Sequence, residues 1–138
     1  MKKLILAISV FILFGSPFAN AEHVYYCASE LATGISKDKK TGRWKEVYFE
    51  KVRYTIKFNE DYSKLNGLDR IEWNCFQAYT YEASLKNLRV CYRKDNNGEL
   101  FQFDTNSLRF LFNSTSTTGF LENDYSTNAI YAGTCQKF

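Results

Sequence analysis

The chain has 138 residues, 45% of them apolar and 17% aromatic, with 18 basic against 15 acidic side chains. That length suits one domain with its own core, and the near-balance of charge excludes nucleic-acid or anionic-membrane binding driven by net charge. Four cysteines, one histidine and one proline are the rare residues whose placement says most.

Lys2 and Lys3 precede an eleven-residue stretch from Leu4 to Phe14, apolar but for Ser9; Gly15 and Pro17 break it, and Ala19-Asn20-Ala21 is a small-residue cleavage site. Eleven residues are too few for a membrane-spanning anchor, which takes about 20. The pattern predicts a secretory signal peptide over 1–21, cut before Glu22, and its Met-Lys-Lys start is of a bacterial kind. The working protein is then an exported domain, 22–138, periplasmic or secreted and not membrane-spanning. Loss of the two lysines leaves 16 basic and 15 acidic residues, and Pro17 leaves with them.

His23 to Cys27 opens the domain as a strand, and Ala28 to Gly34 reads as small and turn-like. Lys37 to Gly42 is a charged hairpin tip, followed by an extended stretch from Arg43 to Phe49. Val52 to Phe58 alternates cleanly: Val52, Tyr54, Ile56 and Phe58 on one face, Arg53, Thr55 and Lys57 on the other. Asn59 to Gly67 reads as a polar loop, Ile71 to Phe76 as a strand, and Gln77 to Asn87 fits either a broken strand or a helical turn. From Leu88 to Phe112 the pattern predicts a three-stranded meander. Leu88, Val90 and Tyr92 form one apolar set, Phe101 and Phe103 a second, and Leu108, Phe110 and Phe112 a third. Asp95 to Gly98 and Asp104 to Ser107 supply the turns. After a polar loop at Asn113 to Gly119, Asn128 to Cys135 is the last strand. The expected fold is all-β: a single small antiparallel β-barrel or sandwich of about eight strands. A closed barrel would also dispose of sheet edges that a proline-free domain leaves open to pairing.

An even cysteine count in an exported chain reads as two disulfides. Four cysteines allow three pairings. The expected ones are Cys27–Cys135, tying the opening strand to the closing one, and Cys75–Cys91, clipping the segment that leads into the meander. Zinc is the rival, but spacings of 48, 16 and 44 residues hold no paired C-x-x-C or H-x-x-x-H element. No cofactor and no metal are expected.

His23, the lone histidine, sits near the domain's start, a poor place for an imidazole that a triad must hold in position. Glu72, Glu99, Asp104 and Glu122 are the carboxylates from which a glycosidase-style pair would be drawn, and all suit solvent or turn positions. Arg53 and Lys57 on one strand, Arg89 and Arg93 on another and Arg109 on a third are expected to face outward. Side by side, they would form an anion-binding face for a carboxylate-rich partner, lipopolysaccharide or a polysaccharide. Tyr25, Tyr26, Trp44, Tyr48, Tyr79 and Tyr81 divide between core packing and exposed anchors for sugars or proteins. The expected role is non-enzymatic: binding a protein or cell-envelope partner through loops or the basic face. Sequence does not fix the oligomeric state.

Val24-Tyr-Tyr-Cys27, Thr33-Gly34, Arg53-Tyr-Thr-Ile-Lys-Phe58, Val90-Cys-Tyr92, Ser107-Leu-Arg-Phe110 and Ile130-Tyr-Ala-Gly-Thr-Cys-Gln-Lys-Phe138 resemble a loose group of short exported bacterial proteins. That resemblance implies a fold and no activity. Tyr25-Tyr26-Cys27 together with the late Cys135 is also similar to the outline of periplasmic inhibitors of c-type lysozyme, which are small signal-bearing β-barrels. This second likeness implies hydrolase inhibition as the alternative function.

Overall fold

The computed structural model describes residues 22–78, 85–95, 98–115 and 127–138. The signal-peptide reading over 1–21, Tyr79, Tyr81 and Glu122, and most of the loop after Thr115 lie outside the described residues. Among those described there are nine strands: β1 (His23–Lys37), β2 (Trp44–Tyr48), β3 (Arg53–Phe58), β4 (Lys64–Asn66), β5 (Trp73–Gln77), β6 (Leu88–Arg93), β7 (Leu100–Asp104), β8 (Arg109–Thr115) and β9 (Asn128–Lys137). Every pairing is antiparallel, and β9 returns to β1. The result is an eight-stranded closed barrel of order β1-β3-β4-β5-β6-β7-β8-β9, with β2 as an extra strand.

β1 organises this closure. It is 15 residues long, where a short strand and a turn were expected. Its first part pairs with β3 and its last part with β2, while β9 runs along its other side from Tyr25 to Ile35. The Ala28–Gly34 stretch is therefore strand, not turn. What gives it a broken pattern is a bulge: Ser29 lies opposite Gly133 and Leu31 opposite Ala132, so Glu30 is the extra residue. One extra residue flips the side-chain parity. Tyr25, Cys27 and Ser29 are buried before it and Ala32 after it. The bulge also holds the link into β3, because Ser29 exchanges hydrogen bonds with Val52: backbone nitrogen to carbonyl at 2.9 Å, and Val52 nitrogen to the Ser29 hydroxyl at 2.8 Å.

The barrel interior is filled. Trp73, Tyr25, Phe58, Phe101, Phe103, Ile56, Leu65 and Cys91 are fully buried. Phe58 and Phe103 stack at 5.5 Å, Phe101 and Phe110 at 5.6 Å, and Trp73 meets Phe112 edge-on at 5.9 Å. Leu65 explains β4. The segment expected as a polar loop sends this one apolar residue inward between Phe58 and Trp73, and three residues suffice to bridge β3 and β5.

Both disulfides are present, Cys27–Cys135 and Cys75–Cys91. Each joins directly opposed residues of neighbouring strands. One closes the β1–β9 seam and the other the β5–β6 pair, on opposite sides of the ring. Such bonds persist in an oxidising compartment.

The second disulfide corrects the expected faces of β6. Cys91 must point inward to meet Cys75, and period two then places Arg89 and Arg93 inward with it. Arg89 is paired with the buried Phe103. Leu88, Val90 and Tyr92 take the outer face instead.

Candidate functional site

Three polar regions result from this parity: the two ends of the barrel and one stretch of its outer wall. At one end, the loops after β4 and β6 meet above Trp73. Arg93, its side chain only 17% exposed, reaches three carboxylates there. Nη1 donates to Glu99 at 2.7 Å, Nε and Nη2 grip Asp95 at 3.0 and 2.6 Å, and Asp69 lies 3.4 Å away. The hydrogen bonds it donates to Asp95 and Glu99 hold the guanidinium well above its ordinary pKa. Each carboxylate has work already. Asp69 also accepts from the Trp73 indole at 3.2 Å and the Ile71 nitrogen at 2.8 Å, and Glu99 from the Ser114 hydroxyl at 2.9 Å. Nearby Glu72 pairs with Lys64 at 3.2 Å and Lys94 at 3.8 Å. This is a saturated ion cluster that closes the end of the barrel.

The opposite end carries His23, the loop after β3 and the start of β6. Tyr62, at a φ of 59°, turns back over the core and caps it. Its hydroxyl meets that of Tyr25 at 2.7 Å, its ring packs on Phe58 at 5.1 Å, and His23 stacks on it at 4.3 Å. The Arg89 guanidinium lies 5.5 Å from the same ring, a cation–π distance. Burial, then the bond to Tyr62, pushes the Tyr25 phenol well above its ordinary pKa. His23 Nε2 hydrogen-bonds the Glu60 carbonyl at 3.2 Å. Asp104 is at this end too, its carboxylate accepting from the Asn106 and Ser107 nitrogens at 2.8 and 2.9 Å.

The third region is on the outer wall of β3, β1 and β9. Cross-strand registry sets Arg53 opposite Ala28, Ala28 opposite Thr134, and Thr134 opposite Arg109. In the next row Thr55, Tyr26 and Gln136 stand abreast. Ala28 is the small residue among long ones, so the wall dips there into a groove of about 480 Å³ between Tyr26, Arg53, Thr55, Thr134 and Gln136. Tyr26 is 48% exposed, and Phe138 supports its ring edge-on at 5.7 Å. Glu30, the bulge residue, accepts from the Thr134 hydroxyl at 3.0 Å. Arg53 and Arg109 are exposed and, among the described residues, have no ion-pair partner.

The five basic residues expected to share one face are thus divided. Arg53, Lys57 and Arg109 do face outward around β1 and β9, with Lys57 3.6 Å from Glu22. Arg89 and Arg93 belong to the two barrel ends. Of the four candidate carboxylates, the three described are likewise split, Glu72 and Glu99 at one end and Asp104 at the other. Of the tyrosines, Tyr25 is core and Tyr26 and Tyr48 are exposed. Ala28, Thr134 and Gln136 carried no signal as site residues, because only registry brings them beside Arg53. The rest of the outer wall is different in kind: Leu31, Ala132, Leu111, Gln102, Val90 and Phe76 form one continuous, mostly apolar cross-strand row.

Among the described residues, no group of three or more His, Cys, Asp or Glu is placed to hold a metal ion, and no helix is long and apolar enough to cross a membrane. No family model matches the chain, and neither a curated protein nor a solved structure matches it.

Proposed function

We propose that this protein is an exported, non-enzymatic bacterial binding domain, working in the periplasm or outside the cell and holding a cell-envelope component against its outer wall. One observation carries this reading: the interior is filled with aromatic side chains, while the wall of β3, β1 and β9 offers an open groove with an exposed tyrosine ring and an arginine that has no ion-pair partner among the described residues. Binding sites combine a concave surface with a few polar groups that fix orientation, and this groove has both. The non-enzymatic part is supported by the engagement of the candidate catalytic groups. His23 is stacked on Tyr62, Glu99 is held by Arg93 and Glu72 by lysines. The two disulfides suit an oxidising compartment, and the signal-peptide pattern supplies the route there.

Cosedimentation of the 22–138 domain with isolated bacterial envelope tests the proposal. An Ala28→Leu variant, which fills the groove floor and leaves every charge in place, is the comparator. The expected result is pelleting of the wild-type domain and at least a tenfold loss with Ala28→Leu. Equal pelleting of the two, or none by either, refutes it.

A further inference from the structure

Resting on that reading, we infer that the groove's ligand is a saccharide bearing a carboxylate group. The chemistry of the lining selects this class. Arg53 presents a planar fork of donors that matches a carboxylate with two parallel hydrogen bonds, and no described group competes for it. Beside it, Tyr26 offers a partly exposed ring, braced by Phe138, against which the C–H face of a pyranose packs. Thr55 and Gln136 supply a hydroxyl and an amide, groups that both donate and accept and so match sugar hydroxyls, and Thr134, its hydrogen given to Glu30, keeps lone pairs to accept from one.

Polyanions fit less well. Glu30 puts a carboxylate on the Thr134 side of the groove, 3.0 Å from the hydroxyl it accepts from. A ligand with charge along its whole length meets repulsion there, whereas one carboxylate at Arg53 followed by neutral hydroxyls does not. Arg109 stands three strand spacings from Arg53, roughly 14 Å between backbones. A chain of alternating acidic and neutral sugars would present its next carboxylate in that direction.

The test is binding of the 22–138 domain to a panel of oligosaccharides carrying a uronic, a lactyl-ether or a nonulosonic carboxylate, each beside its carboxyl-reduced counterpart. Titration is followed by NMR shifts of the Tyr26, Ala28 and Thr134 amides. At least one acidic member should bind through these amides and its reduced form about tenfold or more weakly, the scale of one charge-assisted hydrogen bond pair. Arg53→Ala should erase that preference, Arg53→Lys restore only part of it, and Ala28→Leu abolish binding, with unchanged melting temperatures showing that the variants fold. Equal binding of acidic and reduced forms, lost in Ala28→Leu, overturns the acidic-sugar inference and leaves the groove as the binding site. Shifts confined to other surfaces, or no binding by any member, overturn the inference as well. The envelope cosedimentation with Ala28→Leu then reports separately on the groove itself.

Discussion

Arg93→Met removes the cation at the closed end of the barrel and keeps most of the stem that packs beside Trp73. The guanidinium and the Glu99 carboxylate are 17% and 13% exposed and 2.7 Å apart, so this contact belongs with buried charge-assisted bonds, worth about 2 kcal/mol. Asp95 is 43% exposed and Asp69 33%, which places each near the surface-pair value of about 0.5 kcal/mol. The sum is about 3 kcal/mol, a loss of roughly 10–15 °C in melting temperature for a domain of this size. Urea unfolding of wild type, Arg93→Met, Glu99→Gln and the double variant measures it. A coupling of about 1.5 kcal/mol between the two positions is expected, since either single variant alone removes the Arg93–Glu99 ion pair. A cost below about 0.5 kcal/mol for Arg93→Met, with no coupling, would mean that the cluster behaves as an ordinary surface network and that the end of the barrel is held by packing alone.

The two disulfides should differ in weight. Their sequence separations are 108 and 16, so loop entropy assigns about 4.8 kcal/mol to Cys27–Cys135 and about 3 kcal/mol to Cys75–Cys91. Denaturant unfolding of the two paired Cys→Ala variants checks the order, and a larger loss from the shorter bridge would contradict it. Gly133→Ala should cost about 2 kcal/mol or more, because a Cβ there runs into the Ala28 carbonyl oxygen at the bulge. A melting temperature within a degree of wild type would show that β1 and β9 are free to separate. Asp38 accepts from Lys45 Nζ and from the Thr41 and Lys40 nitrogens, and these bonds hold its carboxyl below the ordinary value. Its contribution to the β1–β2 hairpin is therefore present above the usual aspartate range and is lost as pH falls through the lower folded value. NMR titration of the Lys40 and Thr41 amides should give a midpoint below 3.8, and one at 3.8 or higher would refute the bond pattern.

Much of the barrel was legible because period-two alternation in β3, β7 and β8 agrees with burial. Ile56 and Phe58, Phe101 and Phe103, and Phe110 and Phe112 all point inward as their spacing implies. That there are two disulfides was legible from the even cysteine count, but which cysteines pair was not: three pairings stayed open until the registers of β1 with β9 and β5 with β6 set Cys27 opposite Cys135 and Cys75 opposite Cys91. Two features hid from the same logic. A bulge at Glu30 breaks alternation and mimics a turn, so the longest strand looked like a short strand followed by a turn. In β4 a single inward Leu65 among polar neighbours leaves no period to detect.

The reversal in β6 has a different lesson, because the information was in the sequence. Cys91 shares its parity with Arg89 and Arg93, so a buried Cys75–Cys91 bridge and outward arginines on the same strand exclude one another. The cysteine decides, since an S–S bond between facing strands needs both residues on one side of the sheet. The arginines follow inward and satisfy their charge at the rims, one on the Tyr62 ring and one on three carboxylates. That leaves Arg53 and Arg109 as the outward arginines flanking the β1–β9 seam. They stand on either side of Ala28 and Thr134, in a row whose register the Cys27–Cys135 bridge shares. The bulge lies just past this row, so the groove keeps the register of the Cys27–Cys135 pair, and the change of parity at Glu30 turns Leu31 outward onto the apolar row beyond it.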